Sequence, residues 1–227
     1  MRVETCMRLP LLSLALAASA LAQPVSVGVK AGMPLTDFVS TVQNQNVSGA
    51  LGRLVDFHSN TRPYVFGASI ELRLPAKFGI ELDALYRRLN YSGTDVTNGV
   101  TSTSTVSSTS ASAWEFPLLL KYRFGPKFVK PYVEAGFAWD TLTGLKQSVQ
   151  RTVSTIKGSS TTSTPPELHK TGTSGFVMGA GLDLHALVIH IAPEIRYTHW
   201  GSPHFEDPAG LVKSKQSQAE FLVGITF

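Results

Sequence analysis

Eight stretches of this chain place an apolar residue at every second position. The first, about 25–32, shows Val25, Val27, Val29 and Ala31 on one face. The second, about 64–74, shows Tyr64, Phe66, Ala68, Ile70, Leu72 and Leu74. About 78–88 carries Phe78, Ile80, Leu82, Ala84 and Tyr86, and about 114–124 carries Trp114, Phe116, Leu118, Leu120, Tyr122 and Phe124. Then come about 129–140 (Val129, Val133, Ala135, Phe137, Trp139), about 175–185 (Phe176, Met178, Ala180, Leu182) and about 187–198 (Leu187, Ile189, Ile191, Ile195, Tyr197). The last, 219–227, carries Phe221, Val223, Ile225 and Phe227, with Leu222 as its one impurity. Period two is the signature of a strand whose faces meet different surroundings. No long segment repeats at 3.6 residues, so an all-β fold is expected.

The opposite face holds the charge. It carries Lys30, Glu71, Arg73, Glu81, Asp83, Arg87, Glu115, Lys121, Arg123, Lys130, Glu134, Asp140, Asp183, Glu194, Arg196 and Glu220, with His185 and His190. None of the apolar face positions is charged. Arg88 breaks the parity at a strand end, where a long side chain can snorkel. A soluble sandwich also alternates, with its apolar faces packed on each other. Three features oppose it. The apolar faces are long, near the length that crosses a bilayer when tilted. The connections alternate, short after the second, fourth and sixth strands and long after the others. The aromatic residues sort to the two ends: Tyr64, Tyr86, Trp114, Trp139 and Tyr197 at one, Phe78, Tyr122 and Phe124 at the other. The pattern predicts an eight-stranded antiparallel up-and-down transmembrane β-barrel with short periplasmic turns, long extracellular loops and two aromatic girdles. Pro117, Pro131 and Pro193 fall inside strands, where each removes a ladder donor, so bulges or shortened strands are expected there.

The N-terminus adds an export signal. Arg2 and Arg8 precede an apolar, Ala/Leu-rich run from Leu9 to Leu21, and Ala20-Leu21-Ala22 fits a small-x-small cleavage site. Residues 1–22 are expected to be a signal peptide and 23–227 the barrel domain. The only cysteine, Cys6, lies in the leader, so neither disulfide nor thiol chemistry is expected in the mature chain. Losing the leader lowers the formal charge from +4 to about +3, too little to suggest a nucleic-acid partner. Beyond the leader no run of about 18 apolar residues predicts a helical span.

The ending on Phe221, Val223, Ile225 and Phe227 resembles the C-terminal signal of bacterial outer-membrane β-barrel proteins. The whole mature chain resembles the small outer-membrane barrel family of the OmpA/OmpX type. That resemblance implies a bacterial outer-membrane location. It implies as partners the lipid bilayer, the outer-membrane assembly machinery and periplasmic chaperones, and a surface ligand for the loops. A porin would need more strands than this chain contains. With only Gln23 and Pro24 before the first strand, a cell-wall-gripping periplasmic domain is not expected.

An eight-stranded barrel is only wide enough for its own side chains to fill. Lys30, Glu71, Arg73, Glu81, Asp83, Arg87, Glu115, Lys121, Arg123, Glu134, Asp183, Glu194, Arg196 and Glu220 are expected to form a lumen charge network that plugs the barrel. A narrow ion path is the alternative. Inward glycines, Gly179 and Gly181 among them, would leave room for arginines and Tyr132, or for water.

The long loops carry no catalytic signature. In the first, Leu35, Phe38, Val39, Leu51, Leu54 and Val55 could cover the barrel mouth or form a short helix. The second and third contain Ser/Thr tracts (101–110 and 159–164), either flexible loop or strands extended above the membrane as a polar ribbon able to capture a partner by strand addition. The fourth, with His199, Ser202, His204, Glu206 and Asp207, has the ingredients of a lipid-modifying hydrolase. Yet His199 and Ser202, three residues apart, point in opposite directions on a strand. A metal set of His199, His204 and Glu206 is as weakly supported. The sequence therefore reads as a non-enzymatic barrel without cofactor, its surface loops suited to adhesion or envelope contact.

Overall fold

The computed structural model describes residues 25–40, 42–47, 53–59, 64–98, 101–125, 129–154, 156–186, 189–206 and 212–226. The leader, Phe128 and Phe227 lie outside them, and so do Leu51 and Asp207. Among the described residues there are eleven strands: β1 (Val25–Pro34), β2 (Val42–Val47), β3 (Arg53–Ser59), β4 (Val65–Arg73), β5 (Phe78–Thr97), β6 (Thr103–Arg123), β7 (Val129–Val153), β8 (Ile156–Thr162), β9 (Gly172–Ala186), β10 (Ile189–Trp200) and β11 (Ser217–Thr226). Eight of them close a ring in the order β1, β4, β5, β6, β7, β9, β10, β11, each pair antiparallel. Closure pairs β1 with β11, Gly28 opposite Thr226 and Met33 opposite Phe221. A closed ring leaves no strand edge open in its wall.

Side chains sort as the alternation predicts. On β6, Trp114, Phe116, Leu118 and Leu120 point out and are exposed, while Glu115, Leu119 and Lys121 point in and are buried. Val27 (58%), Phe137 (64%) and Ile195 (57%) show how much apolar surface the outer wall carries. A water-soluble protein would cover a patch of that extent. The rings sort as well. Tyr64, Phe66, Tyr86 and Trp114 form a chain of contacts, with centroids 6.0, 5.3 and 5.2 Å apart. At the other end Phe78 meets Tyr122 at a tilt and Tyr122 meets Phe124 edge-on, centroids 4.9 and 4.8 Å apart. Phe78 and Tyr86 bracket eight residue steps of β5, roughly 27 Å along the strand at about 3.4 Å per residue. Tilted in a barrel, that matches an apolar band about 25 Å tall.

The prolines correct an expectation. Pro131 pairs with Leu182, Pro193 with Val223 and Pro117 with Ala138, all in unbroken register. The described bulges lie elsewhere, between Thr143 and Lys146 on β7 opposite Ser110–Ser112 of β6, and between Val42 and Gln45 on β2. On one side of Pro117 and one side of Pro193 the ladder lacks pairs but keeps its register, so losing one donor does not force an extra residue into the strand.

Three strands run well past the expected limits. β5 continues to Thr97, β6 begins at Thr103 and β7 reaches Val153. The tract at 101–110 is thus largely strand, paired with both neighbours. The β2–β3 hairpin adds to the upper part of β5, and β8 adds to the upper part of β7. The result is a ribbon above the ring in the order β2, β3, β5, β6, β7, β8. The first long loop, expected to cover the mouth or form a helix, supplies this hairpin and sends Phe38 and Val39 into the mouth; its described residues hold no helix.

Candidate functional site

The centre of the ring is a layer of ions. Lys30 Nζ lies 2.5 Å from Glu81, 3.2 Å from Asp83 and 2.9 Å from Glu194. Lys121 Nζ lies 2.7 Å from Glu81, 3.2 Å from Glu134 and 3.6 Å from Glu194. Arg196 donates to Asp83 (2.9 Å), Glu134 (3.1 Å) and Glu194 (2.8 Å). The Tyr132 hydroxyl donates to Glu194 at 2.5 Å, and Lys121 sits 4.5 Å from the Tyr132 ring centroid. All of these groups are buried. The small residues make this possible. A Cβ on Gly181 would meet the Tyr132 ring, and one on Gly179 would meet the Glu134 side chain.

Satellite pairs sit above and below this layer. Arg87 reaches Glu115 at 2.6 Å, an ion pair rather than a hydrogen bond, and Glu220 at 3.3 Å. At the end with the short turns Arg123 binds Glu71 at 2.7 Å and Asp183 at 2.9 Å. Arg73 forms no ion pair with a described residue and lies 3.3 Å from His190 Nδ1, the nitrogen that also faces Asp183 at 3.2 Å. Every residue expected in the lumen therefore faces inward or lies at the lumen's end.

Glu81, Glu134 and Glu194 each bring an oxygen within 4.8 Å of the others, a spacing that could hold a divalent cation. Here Lys30, Lys121 and Arg196 already supply positive charge to those oxygens.

Over the ions lies an apolar cap. Phe38 and Val39 from the first loop and Phe205 and Val212 from the fourth pack on Leu89, Tyr91, Ala111, Ala113 and Leu142 of the wall. Phe205 meets Phe38 and Tyr91 edge-on, centroids 6.0 and 5.2 Å apart. His204 ties the fourth loop to the wall. Its Nε2 lies 2.5 Å from Asp140, and its Nδ1 lies 2.8 Å from the Lys170 carbonyl. A second polar knot joins Tyr91 and Gln147, both donating to Glu167 Oε1 at 2.7 and 2.5 Å. Burial, and then the adjoining Glu167 carboxylate, push the Tyr91 hydroxyl above its ordinary range. Phe205 and Val212 were not expected here; they lie in a stretch whose polar residues drew attention to chemistry instead.

The pair His199 and Ser202 does not meet. His199 Nδ1 lies 3.1 Å from Ser217, while Ser202 bonds Thr173 at 2.9 Å. Glu206 pairs with Lys213 at 3.0 Å and His204 with Asp140, so His199, His204 and Glu206 do not converge.

The sequence profile of the outer membrane protein beta-barrel domain matches residues 9–223. Among solved structures, the N-terminal β-barrel domain of Pseudomonas aeruginosa OprF is 16% identical with a TM-score of 0.33, covering 89% of this chain and 97% of that one. Neisserial surface protein A is 13% identical with a TM-score of 0.38, covering 89% and 94%. Ail, the attachment invasion locus protein of Yersinia pestis, in complex with the heparin analogue sucrose octasulfate, is 10% identical with a TM-score of 0.38, covering 89% and 99%. No curated protein matches the chain.

Proposed function

This chain belongs to the outer membrane protein beta-barrel domain family, and on that premise we propose that it is a non-enzymatic surface protein whose sealed barrel anchors an extracellular β-ribbon used for adhesion or envelope contact. The observation that carries the reading is the ribbon's last strand. β8 pairs with β7 along Ile156–Thr162, and no other strand among the described residues pairs with it. Its residues are exposed almost throughout, Ile156 at 75%. An unpaired row of N–H and C=O groups is a template for an added strand. The ribbon's polar faces keep it soluble while its edge stays available.

The barrel below supports an anchoring role. Two barriers lie in series across it, the ion layer and the apolar cap, and both count against a channel. His199 and Ser202 do not meet, and His199, which reaches Ser217 instead, has no carboxylate partner among the described residues; both points count against a hydrolase. Export through the leader at 1–22, assembly read from the C-terminal strand and chaperone escort across the periplasm belong to the same proposal.

The test compares the intact protein with a variant whose ribbon, residues 93–107 and 147–162, is replaced by short turns. Both are titrated onto immobilised purified matrix proteins and envelope polysaccharides. Binding of at least one component to the intact protein alone is expected. Equal binding by both proteins, or no binding by the intact one, overturns the reading. Discrete conductance in planar bilayers would revive the channel.

A further inference from the structure

At the end that carries the short turns, a cavity of about 270 Å³ opens between the 74–77 turn and the chain around Gly125. Four cations line it: Arg73, Lys77, Arg123 and Lys130. Their electrostatic situations differ. Arg123 is neutralised by Glu71 and Asp183. Arg73 Nη2 lies 3.3 Å from His190 Nδ1, which itself lies 3.2 Å from Asp183, and the Arg73 Nε is buried with no hydrogen-bond partner among the described residues. Lys77 and Lys130 form no ion pair with any described residue, although Lys130 stands across the ladder from Asp183, which faces Arg123 and His190. The central lumen behaves otherwise, since Lys30, Arg87, Lys121 and Arg196 all have carboxylate partners. Three cations that form no ion pair with a described residue, Arg73, Lys77 and Lys130, therefore line one small cavity, while the nearby Glu71 and Asp183 are engaged by Arg123.

The remaining wall is apolar. Leu74, Phe78 and Phe124 line the same space, and the two rings belong to the girdle at this end of the barrel. A ligand filling the cavity meets positive charge on one side and membrane-facing rings on the other. The turn is also built to present its lysine. Ala76 and Lys77 both hold positive φ, 60° and 70°, which side-chain-bearing residues rarely adopt. Such geometry persists where the surroundings impose it.

We propose that this cavity binds the phosphate group of an anionic phospholipid in the periplasmic leaflet, with its acyl chain along the Phe78, Tyr122 and Phe124 rings. A guanidinium and two ammonium groups match the oxygens of a phosphate. Lipids whose headgroup adds an amine bring a positive charge toward Arg73 and Lys77 and are disfavoured. The inference rests on the barrel's place in the membrane and not on what its ribbon binds.

The test is native mass spectrometry of the full-length protein, delipidated in detergent and titrated with phosphatidylglycerol, phosphatidylcholine or inorganic phosphate. Phosphatidylglycerol is expected to be retained in preference to phosphatidylcholine. The double variant Lys77→Gln/Lys130→Gln should lose about ten- to thirtyfold in its retention, the effect of removing two cations beside an anionic headgroup. Lys157→Gln, on the distant β8, should retain it like the wild type. A heat-modifiable gel shift confirms that each variant is folded, and the Lys77→Gln single variant serves if the double one is not. Equal retention of the two lipids, an unaffected double variant, or displacement of phosphatidylglycerol by an equal concentration of inorganic phosphate would each overturn the proposal.

Discussion

Arg196 on β10 donates through Nη1 to Asp83 on β5 at 2.9 Å, and these two strands stand opposite each other in the ring. The two side chains together thus span the lumen, joined by one hydrogen bond. Glu134 on β7 and Glu194 beside it on β10 complete the acceptors of the same guanidinium. The barrel wall is held by its ladders, but its cross-section is held by ions. Asp83, Glu134 and Glu194 would otherwise sit buried near one another with less compensating charge. Replacing Arg196 by Met should destabilise the barrel by about 3–5 kcal/mol, the usual cost of leaving a buried partner uncompensated. Urea unfolding in lipid vesicles, followed by tryptophan emission, measures it. Adding Glu134→Gln to Arg196→Met should recover part of the loss, because the two sites share one network. A single variant as stable as the wild type would mean that the layer is hydrated and weak.

How much of this was legible in the sequence follows from where each residue sits. Between the girdles every strand meets apolar surroundings on one side and side chains on the other, so Val27, Ile70 and Leu118 announce their faces. Above the girdle both sides of β5, β6 and β7 meet water or a thin cap. Alternation fades there, and a tract such as 103–110 reads equally as loop. The partners within the lumen were not legible either. Parity says that Arg196 points inward, but the ring's closure and stagger decide that it meets Asp83. Phe205 and Val212 stood among histidines and acids, and only the folded loop shows that they fill the mouth.

Gly181 offers a test of the space left inside. Its missing side chain accommodates the Tyr132 ring, whose hydroxyl reaches Glu194. Gly181→Val should displace that ring and cost about 1–3 kcal/mol through overpacking. Tyr132→Ala combined with Gly181→Val should be less damaging than the two separate losses added together. Strict additivity in unfolding experiments would count against a shared space.

The cap should come loose without opening a pore. Phe205→Ala removes the ring that meets both Phe38 and Tyr91, a change of the kind that costs about 3–5 kcal/mol in a core. Proteolysis within 201–216 should accelerate, while planar-bilayer recordings stay silent because the layer of Lys30, Lys121 and Arg196 lies beneath. Current from this variant would show that the cap alone closes the barrel.

Alkaline pH should act on the same cap through Tyr91. Its hydroxyl is buried and donates to Glu167 Oε1, so ionisation would place a phenolate beside a carboxylate. The folded protein therefore raises the pKa of this group above its ordinary value of about 10. A group held up in this way contributes its full stability below the unfolded value and loses it as pH rises through the folded one. From neutral pH to about 10 the cap should resist proteolysis unchanged. At higher pH it should weaken progressively. Tyr91→Phe cannot ionise and leaves Glu167 with Gln147 as its remaining donor. This variant should begin about 1 kcal/mol less stable, the net worth of one hydrogen bond, and should then show a flatter alkaline profile. Tyrosinate absorbance, taken as a wild-type-minus-variant difference, locates the ionisation directly. If the two proteins lose the cap along the same alkaline curve, Tyr91 is not the group that responds.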